Sequence, residues 1–261
     1  MNRPIAIQIR LSSKAPFLFA FLWVISSLAN AQISAADKKL LFERSEAGDA
    51  PAVEAVRKLA SDGDVPSQIH LAHMYQYGSK RNKDEAAYWY RSAAERGSAF
   101  AQNELGLILC NEWAFLSDHQ DSAKWRTKAA EQGRAVFQYD LARDYANGNH
   151  CMKQDYSKAR YWYKKVSEQG DYRAFEALGV MYRHEEGVAK NLIEEYKWFF
   201  LARATVNDEK YYGWLSETIG DTVKEMSAGQ IDSAKQSIAD WTVAHPSWGW
   251  RDATHLGRQQ P

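Results

Sequence analysis

Four tryptophans set the frame of this chain. Trp89, Trp125, Trp162 and Trp198 recur at intervals of 36, 37 and 36 residues. Gly97, Gly133 and Gly170 each follow one of the first three by eight residues. Upstream, Leu71, Leu105, Leu141 and Leu178 recur at 34, 36 and 37 residues. The phrases "YWYRSAAERG", "KWRTKAAEQG" and "YWYKKVSEQG" are copies of one unit. A unit of this length cannot bury an apolar face alone, so copies must stack to share a core.

Each copy reads as two helices. Leu71, Ala72 and Tyr75, like Leu178, Gly179 and Tyr182, form one apolar stripe whose small residue lets a neighbouring helix come close. Seven residues before each Trp stand Asn82, Asp118, Asp155 and Asn191, short acceptors suited to N-caps. Glu85, Asp121 and Glu194 follow three residues later, which predicts capping boxes in three copies. The closing glycines suit a left-handed C-terminal position. Gly63 lies 34 residues before Gly97 and ends "PAVEAVRKLASDG", a degenerate earlier copy.

The stretches "LGVMYRHEEGVAKN" and "NKDEAAYWYRSAAERG" resemble the signature of the Sel1-like repeats, relatives of tetratricopeptide repeats. The resemblance implies an all-α, right-handed α-solenoid of about 12 helices. A degenerate unit is expected over 36–63, full units over about 64–204, and a closing helix pair over 208–243, all within 32–243. Residues 244–261 form a tail carrying Trp248 and Trp250, predicted to fold back over the last repeat. The second copy departs from the signature at "LILCNEWAFLSDHQD", where an irregular loop is expected.

Residues 1–31 are written differently. Arg3, Arg10 and Lys14 flank the apolar run "APFLFAFLWVISSLA", and Ala29-Asn30-Ala31 is an Ala-x-Ala cleavage site. This reads as a secretory signal peptide cleaved after Ala31, with an uncleaved N-terminal anchor as the alternative. Cleavage would leave a soluble periplasmic or secreted chain with no membrane span. It removes three of the 33 basic residues and none of the 33 acidic ones, so formal charge goes from zero to −3. With no basic stripe and no acidic tail, neither nucleic acid nor a strongly charged partner is indicated.

Export alters the reading of Cys110 and Cys151, the only two cysteines. An oxidising compartment favours pairing them, with two unpaired thiols as the alternative. Sel1-like proteins often bridge the two helices of one unit, whereas this pair would cross units.

Catalytic signatures are missing: the sequence contains no Gly-x-Ser-x-Gly, His-Glu-x-x-His, phosphate loop or Ser-x-x-Lys. His70 and His73 share a helix face, while His150 beside Cys151 and His184 before Glu185 and Glu186 are looser candidates. None has a third spaced ligand, so no metal or cofactor is expected. The periodic tryptophans read as core in preference to a carbohydrate platform.

In tetratricopeptide-like arrays the first helix of each unit lines the ligand-binding face. Carried onto this chain, that face comprises Ile69, His73, Gln76 and Tyr77, then Asn103, Leu107, Cys110 and Asn111. The third and fourth units give Tyr139, Arg143, Ala146 and Asn147, then Glu176, Val180, Arg183 and His184. Such a mixture suits a protein partner better than a catalytic pocket. The resemblance therefore implies a non-enzymatic exported scaffold. Exported members include immunity proteins that neutralise secreted (type VI) toxins such as phospholipase effectors. They also include periplasmic regulators that bind a sensor domain, and penicillin- or cell-wall-ligand-binding proteins.

Overall fold

The computed structural model describes residues 33–79, 81–110, 119–206 and 208–246, and for 119–120 only the backbone. The leader, the Asp118 cap, Asn111 with the irregular loop, and Trp248 and Trp250 of the tail lie outside the described residues. Those described form twelve α-helices and no strand. They are α1 (Ala35–Glu46), α2 (Ala50–Ser61), α3 (Val65–Tyr77), α4 (Lys83–Glu95), α5 (Ala99–Leu109) and α6 (His119–Glu131). There follow α7 (Ala135–Asn147), α8 (Tyr156–Ser167), α9 (Tyr172–Arg183), α10 (Leu192–Thr205), α11 (Glu209–Glu225) and α12 (Ala228–Ala244). No described helix is long and apolar enough to cross a membrane.

The helix boundaries follow the local chemistry. Asn82 accepts from the amides of Asp84 and Glu85, Asp155 from Lys158, and Asn191 from Ile193 and Glu194. Gly63, Gly97, Gly133 and Gly170 take φ of 96°, 89°, 90° and 79°, a region closed to most L-residues. The capping box expected at Glu194 is not what that carboxylate does. It accepts instead from Lys197 Nζ at 2.6 Å and from the Trp198 indole at 2.9 Å. A reciprocal box occurs at Ser227 and Gln230, which start α12.

The chain divides into two compact units between Trp89 and Tyr90, within α4. In the first, α2 packs on α1 and α3, and the core is alanine-rich: Ala52, Ala55, Ala60, Ala72, Ala86 and Ala87 with Val56, Leu71 and Trp89. Lys38 pairs with Asp64 at 2.6 Å, and Arg57 donates to the Tyr75 hydroxyl at 2.6 Å. His70 and His73, three apart on α3, have different surroundings. His70 stacks on Phe42 with ring centroids 4.1 Å apart and meets Ser45 at 2.8 Å, while His73 is exposed.

In the second unit the helices pack as α5 with α6, α7 with α8, and α9 with α10, and the closing pair α11 and α12 covers α10. The four leucine anchors are 0–1% exposed and the four periodic tryptophans 2–8%. A side chain of that size withdrawn from water contributes roughly 1.5–3 kcal/mol, which makes the repeat register expensive to shift. Small residues set the approach distance. A Cβ added to Gly179 would lie 2.9 Å from the Phe199 ring, and one on Gly106 would collide with the Arg126 stem.

Glutamines form a second periodic element. Gln102 and Gln138 donate to the carbonyls of Ala94 and Ala130, both at 3.1 Å. Gln132 reaches back to the Gly97 carbonyl at 2.9 Å and to Gln102 at 2.8 Å. Gln169 repeats this toward Gly133 and Gln138. The bonds to Ala94, Ala130, Gly97 and Gly133 cross from one repeat to the one before, while the Gln132–Gln102 and Gln169–Gln138 bonds join the two helices' ends within a repeat.

Candidate protein-interaction face

On α7, Tyr139 is half-buried against the Tyr163 ring at 5.7 Å, and the Arg173 guanidinium lies 4.5 Å above it. Arg173 is held by Asp171, with Nε 3.0 Å from one carboxylate oxygen and a second nitrogen 2.5 Å from the other. One turn along α9, the Glu176 carboxylate lies near the Tyr211 hydroxyl of α11 and raises its pKa. Tyr211 stacks on Trp214 at 5.5 Å and meets Tyr172 edge-on at 5.7 Å. Tyr172, Glu176, Asp208, Lys210, Tyr211 and Trp214 line an open groove of about 640 Å³. Tyr172 and Trp214 are 36% and 42% exposed, which is large for aromatic side chains.

The phenols of this face are poor acids. Burial pushes the Tyr139 hydroxyl above its ordinary range, Glu176 adds to the shift, and Arg173 and Arg143 oppose it. Burial also raises Tyr163 and Tyr211, the latter further through the neighbouring Glu176 carboxylate. All three stay protonated near neutral pH and can donate hydrogen bonds.

The structure thus brings Tyr139 and Glu176 together. Arg143, exposed and 3.5 Å from Asp140, is close enough to act on the Tyr139 and Tyr163 hydroxyls. Asn147 and His184 are exposed at helix ends, and Leu107 is half-buried. Val180 is half-buried against the core. Asn103 is 7% exposed, so a partner would meet little of it. Arg183 is already engaged: it bonds Glu195 at 2.9 Å, the Thr218 carbonyl at 3.0 Å and the Thr222 hydroxyl at 3.2 Å, over the Phe199 ring. Ile69, His73 and Tyr77 lie on α3 in the first unit, where His73 and Tyr77 touch at 4.7 Å.

Tyr163, Arg173, Asp208, Tyr211 and Trp214 escaped the sequence reading. The repeat offset selects first-helix positions only, whereas Tyr163 belongs to a second helix and the last three to the non-repetitive closing pair. A signal for Tyr211 and Trp214 was present in their i, i+3 spacing, which puts both rings on one helix face.

Cys110 ends α5 and is joined to Cys151 in the loop after α7, across 41 residues. Beside this link Asp144, fully buried, pairs with Arg126 and accepts from His150 at 2.8 Å. Burial lowers the Arg126 guanidinium to about 10, so it stays cationic at neutral pH. Among the described residues no group of three His, Cys, Asp or Glu side chains could hold a metal ion.

Stacked helical pairs with an open, mixed aromatic and charged face define a helical-repeat scaffold. The chain belongs to the Sel1 repeat family: the Sel1 repeat pattern matches residues 65–98, 99–133 and 135–171. Such repeats serve protein–protein contact. Among solved structures, c5321, a protective antigen present in uropathogenic Escherichia coli strains and displaying an SLR fold, is 26% identical with a TM-score of 0.57. That match covers 92% of this chain and 48% of c5321, so the chain spans about half of that protein. A Sel1 repeat protein from Oxalobacter formigenes is 36% identical over 46% of this chain and 92% of its own, with a TM-score of 0.38. Immunity protein Pa5087 from Pseudomonas aeruginosa is 14% identical over 75% of this chain and 85% of its own, also with a TM-score of 0.38. That likeness is too distant to bear on function. No curated protein sequence matches the chain.

Proposed function

We propose that this protein is an exported, non-enzymatic scaffold that binds a protein partner through the face built by α7, α9 and α11. The observation that carries this reading is the row of Tyr139, Arg173, Tyr211 and Trp214. Tyr, Trp and Arg are the residue types that dominate interface energetics, and here they lie on packed helices that hold them in place before binding. The N-terminal leader motif supports a periplasmic or secreted location. The particular role proposed is that of an immunity protein. An exported chain whose interaction face is laid out without catalytic signatures would act by occupying a secreted toxin.

Replacing Tyr139 by a photo-crosslinking amino acid in cells would trap whatever contacts the face. The expected product is one dominant protein adduct, identified by mass spectrometry, whose toxicity the chain suppresses on co-expression. Tyr139→Ala with Arg143→Ala should then weaken that partner by more than ~2 kcal/mol while circular dichroism stays unchanged. A chain ending at Ala244 is the contrast. Should truncation abolish binding while the double variant keeps it, the face is misassigned. Edman sequencing of the periplasmic protein should begin at Gln32, and an intact Met1 there would refute cleavage.

A further inference from the structure

Four aromatic rings in the second unit already carry a cation with a carboxylate beside it; at one of them Lys158 lies over Tyr145 and pairs with Asp155 at 3.3 Å. Arg173 lies over Tyr139 and binds Asp171. Arg183 lies over Phe199 and binds Glu195. Lys197 lies over Trp198, 4.5 Å from its centroid, and binds Glu194. The groove between α9 and α11 repeats the arrangement with Tyr172, Tyr211 and Trp214 as rings and Glu176 and Asp208 as carboxylates. Among the described residues, no Lys or Arg sits over any of these three rings.

We propose that this groove receives an arginine or lysine side chain of the protein partner, which rests on the interaction role proposed above. The electrostatics fit a cation. Aromatic faces carry negative quadrupole density, and two carboxylates stand against the single ammonium of Lys210. The acceptors are also fixed in advance. Tyr211 holds Asp208 through its backbone amide at 2.8 Å, and its hydroxyl stands near Glu176, whose carboxylate raises the phenol's pKa. A carboxylate so placed spends little entropy on meeting a donor. An acidic segment would face like charge, and an apolar one would strip water from Glu176 without replacing its hydrogen bonds.

The test uses the purified mature chain and three probes: blocked tri-arginine, blocked tri-glutamate and tetramethylammonium. Binding is followed through the indole resonances in 15N-correlated NMR, with Trp214→Phe identifying the Trp214 signal. Tri-arginine should shift that signal saturably, and tri-glutamate should not. Glu176→Gln keeps an oxygen near the Tyr211 hydroxyl but removes the charge, so it should weaken tri-arginine about tenfold. An unchanged melting curve confirms the fold of each variant. Absence of saturation, equal response to tri-glutamate, or an unaffected Glu176→Gln variant would each overturn the proposal. Tetramethylammonium binding as tightly as tri-arginine would overturn the stated occupant in favour of a small quaternary ammonium. If position 139 crosslinks a partner while tri-arginine fails, the cation proposal alone falls. If tri-arginine binds but no partner is trapped, the interaction role falls and the groove's preference for cations stands.

Discussion

Gln169 donates to the carbonyl oxygen of Gly133 at 3.0 Å, 36 residues earlier in the chain, and at 2.7 Å to the side chain of Gln138. The same bonds run from Gln132 to Gly97 and Gln102. They tie the ends of successive second helices together at the turn, where the left-handed glycine turns its carbonyl toward the next repeat. Removing a partner of a buried amide such as Gln138 leaves that amide short of one hydrogen bond.

Gln169→Ala should therefore destabilise the fold by about 1–2 kcal/mol in urea denaturation. Gln132→Ala should cost a similar amount, and the double variant close to the sum, since the links share no residue. An unchanged midpoint in both single variants would show the relay to be decorative.

Gly179 and Gly220 make a matched pair of helical glycines. A Cβ at 179 would press on the Phe199 ring at 2.9 Å, while at 220 it would meet nothing within 4 Å. Gly179→Ala should lose ~1–3 kcal/mol by overpacking. Gly220→Ala, inside α11, should gain ~0.5–1 kcal/mol by restricting the unfolded chain. Equal melting shifts in both would contradict the close approach of α9 and α10.

The Arg126–Asp144 pair occupies slots that hold other types elsewhere. Tyr90, Tyr163 and Phe199 follow the other tryptophans, and Ile108 and Met181 sit three residues after their leucine anchors. Asp144→Asn strands the Arg126 charge in the core and should cost about 3–5 kcal/mol. The double replacement Arg126→Tyr with Asp144→Met restores the pattern of the other repeats and should recover most of that loss. A double variant no better than the single would argue that the pair itself sustains the fold.

Exchanging Cys110 and Cys151 for Ser frees the loop that carries His150 onto Asp144. The expected loss is about 2–4 kcal/mol, measured without reductant. Peptide mapping of the non-reduced wild type should show the two cysteines linked, and two freely alkylated thiols would refute the bridge.

His70 gives the first unit a pH dependence. Burial against Phe42 lowers its pKa below the ordinary 6.5, and the nearby Glu46 carboxylate only partly opposes this. The unfolded chain then takes up a proton before the folded one does. The stabilising contribution is complete above about pH 6.5 and is lost as pH falls toward the folded value. Urea midpoints measured from pH 7.5 to 5.5 should drop less for His70→Phe than for the wild type. Parallel profiles would show that His70 does not titrate in that window.

Trp125→Ala should open a core void and cost ~3–5 kcal/mol, since the ring is 7% exposed and lies beneath Lys128. Thermal melts would read it directly. A loss under ~1 kcal/mol would place this tryptophan on the surface.

Whatever repeats was legible in the sequence. The tryptophans, leucines, caps and glycines recur because each copy solves the same local problem, so spacing alone exposed the helical pairs and the close approach at Gly179. The Cys110–Cys151 link was anticipated from cysteine count and the leader, although its geometry was not. What the tertiary structure decided lies where the period is broken or where partners are remote. Arg183 had the right offset for the open face, yet Glu195, Thr218 and Thr222 draw it into the packing of α9, α10 and α11. Tyr211 and Trp214 came to that face from a closing pair that repeats nothing. Periodicity records contacts between neighbouring copies, because those are made identically each time. A surface assembled from helices of different kinds has no such echo, and only the packed chain shows which side chains are left facing outward.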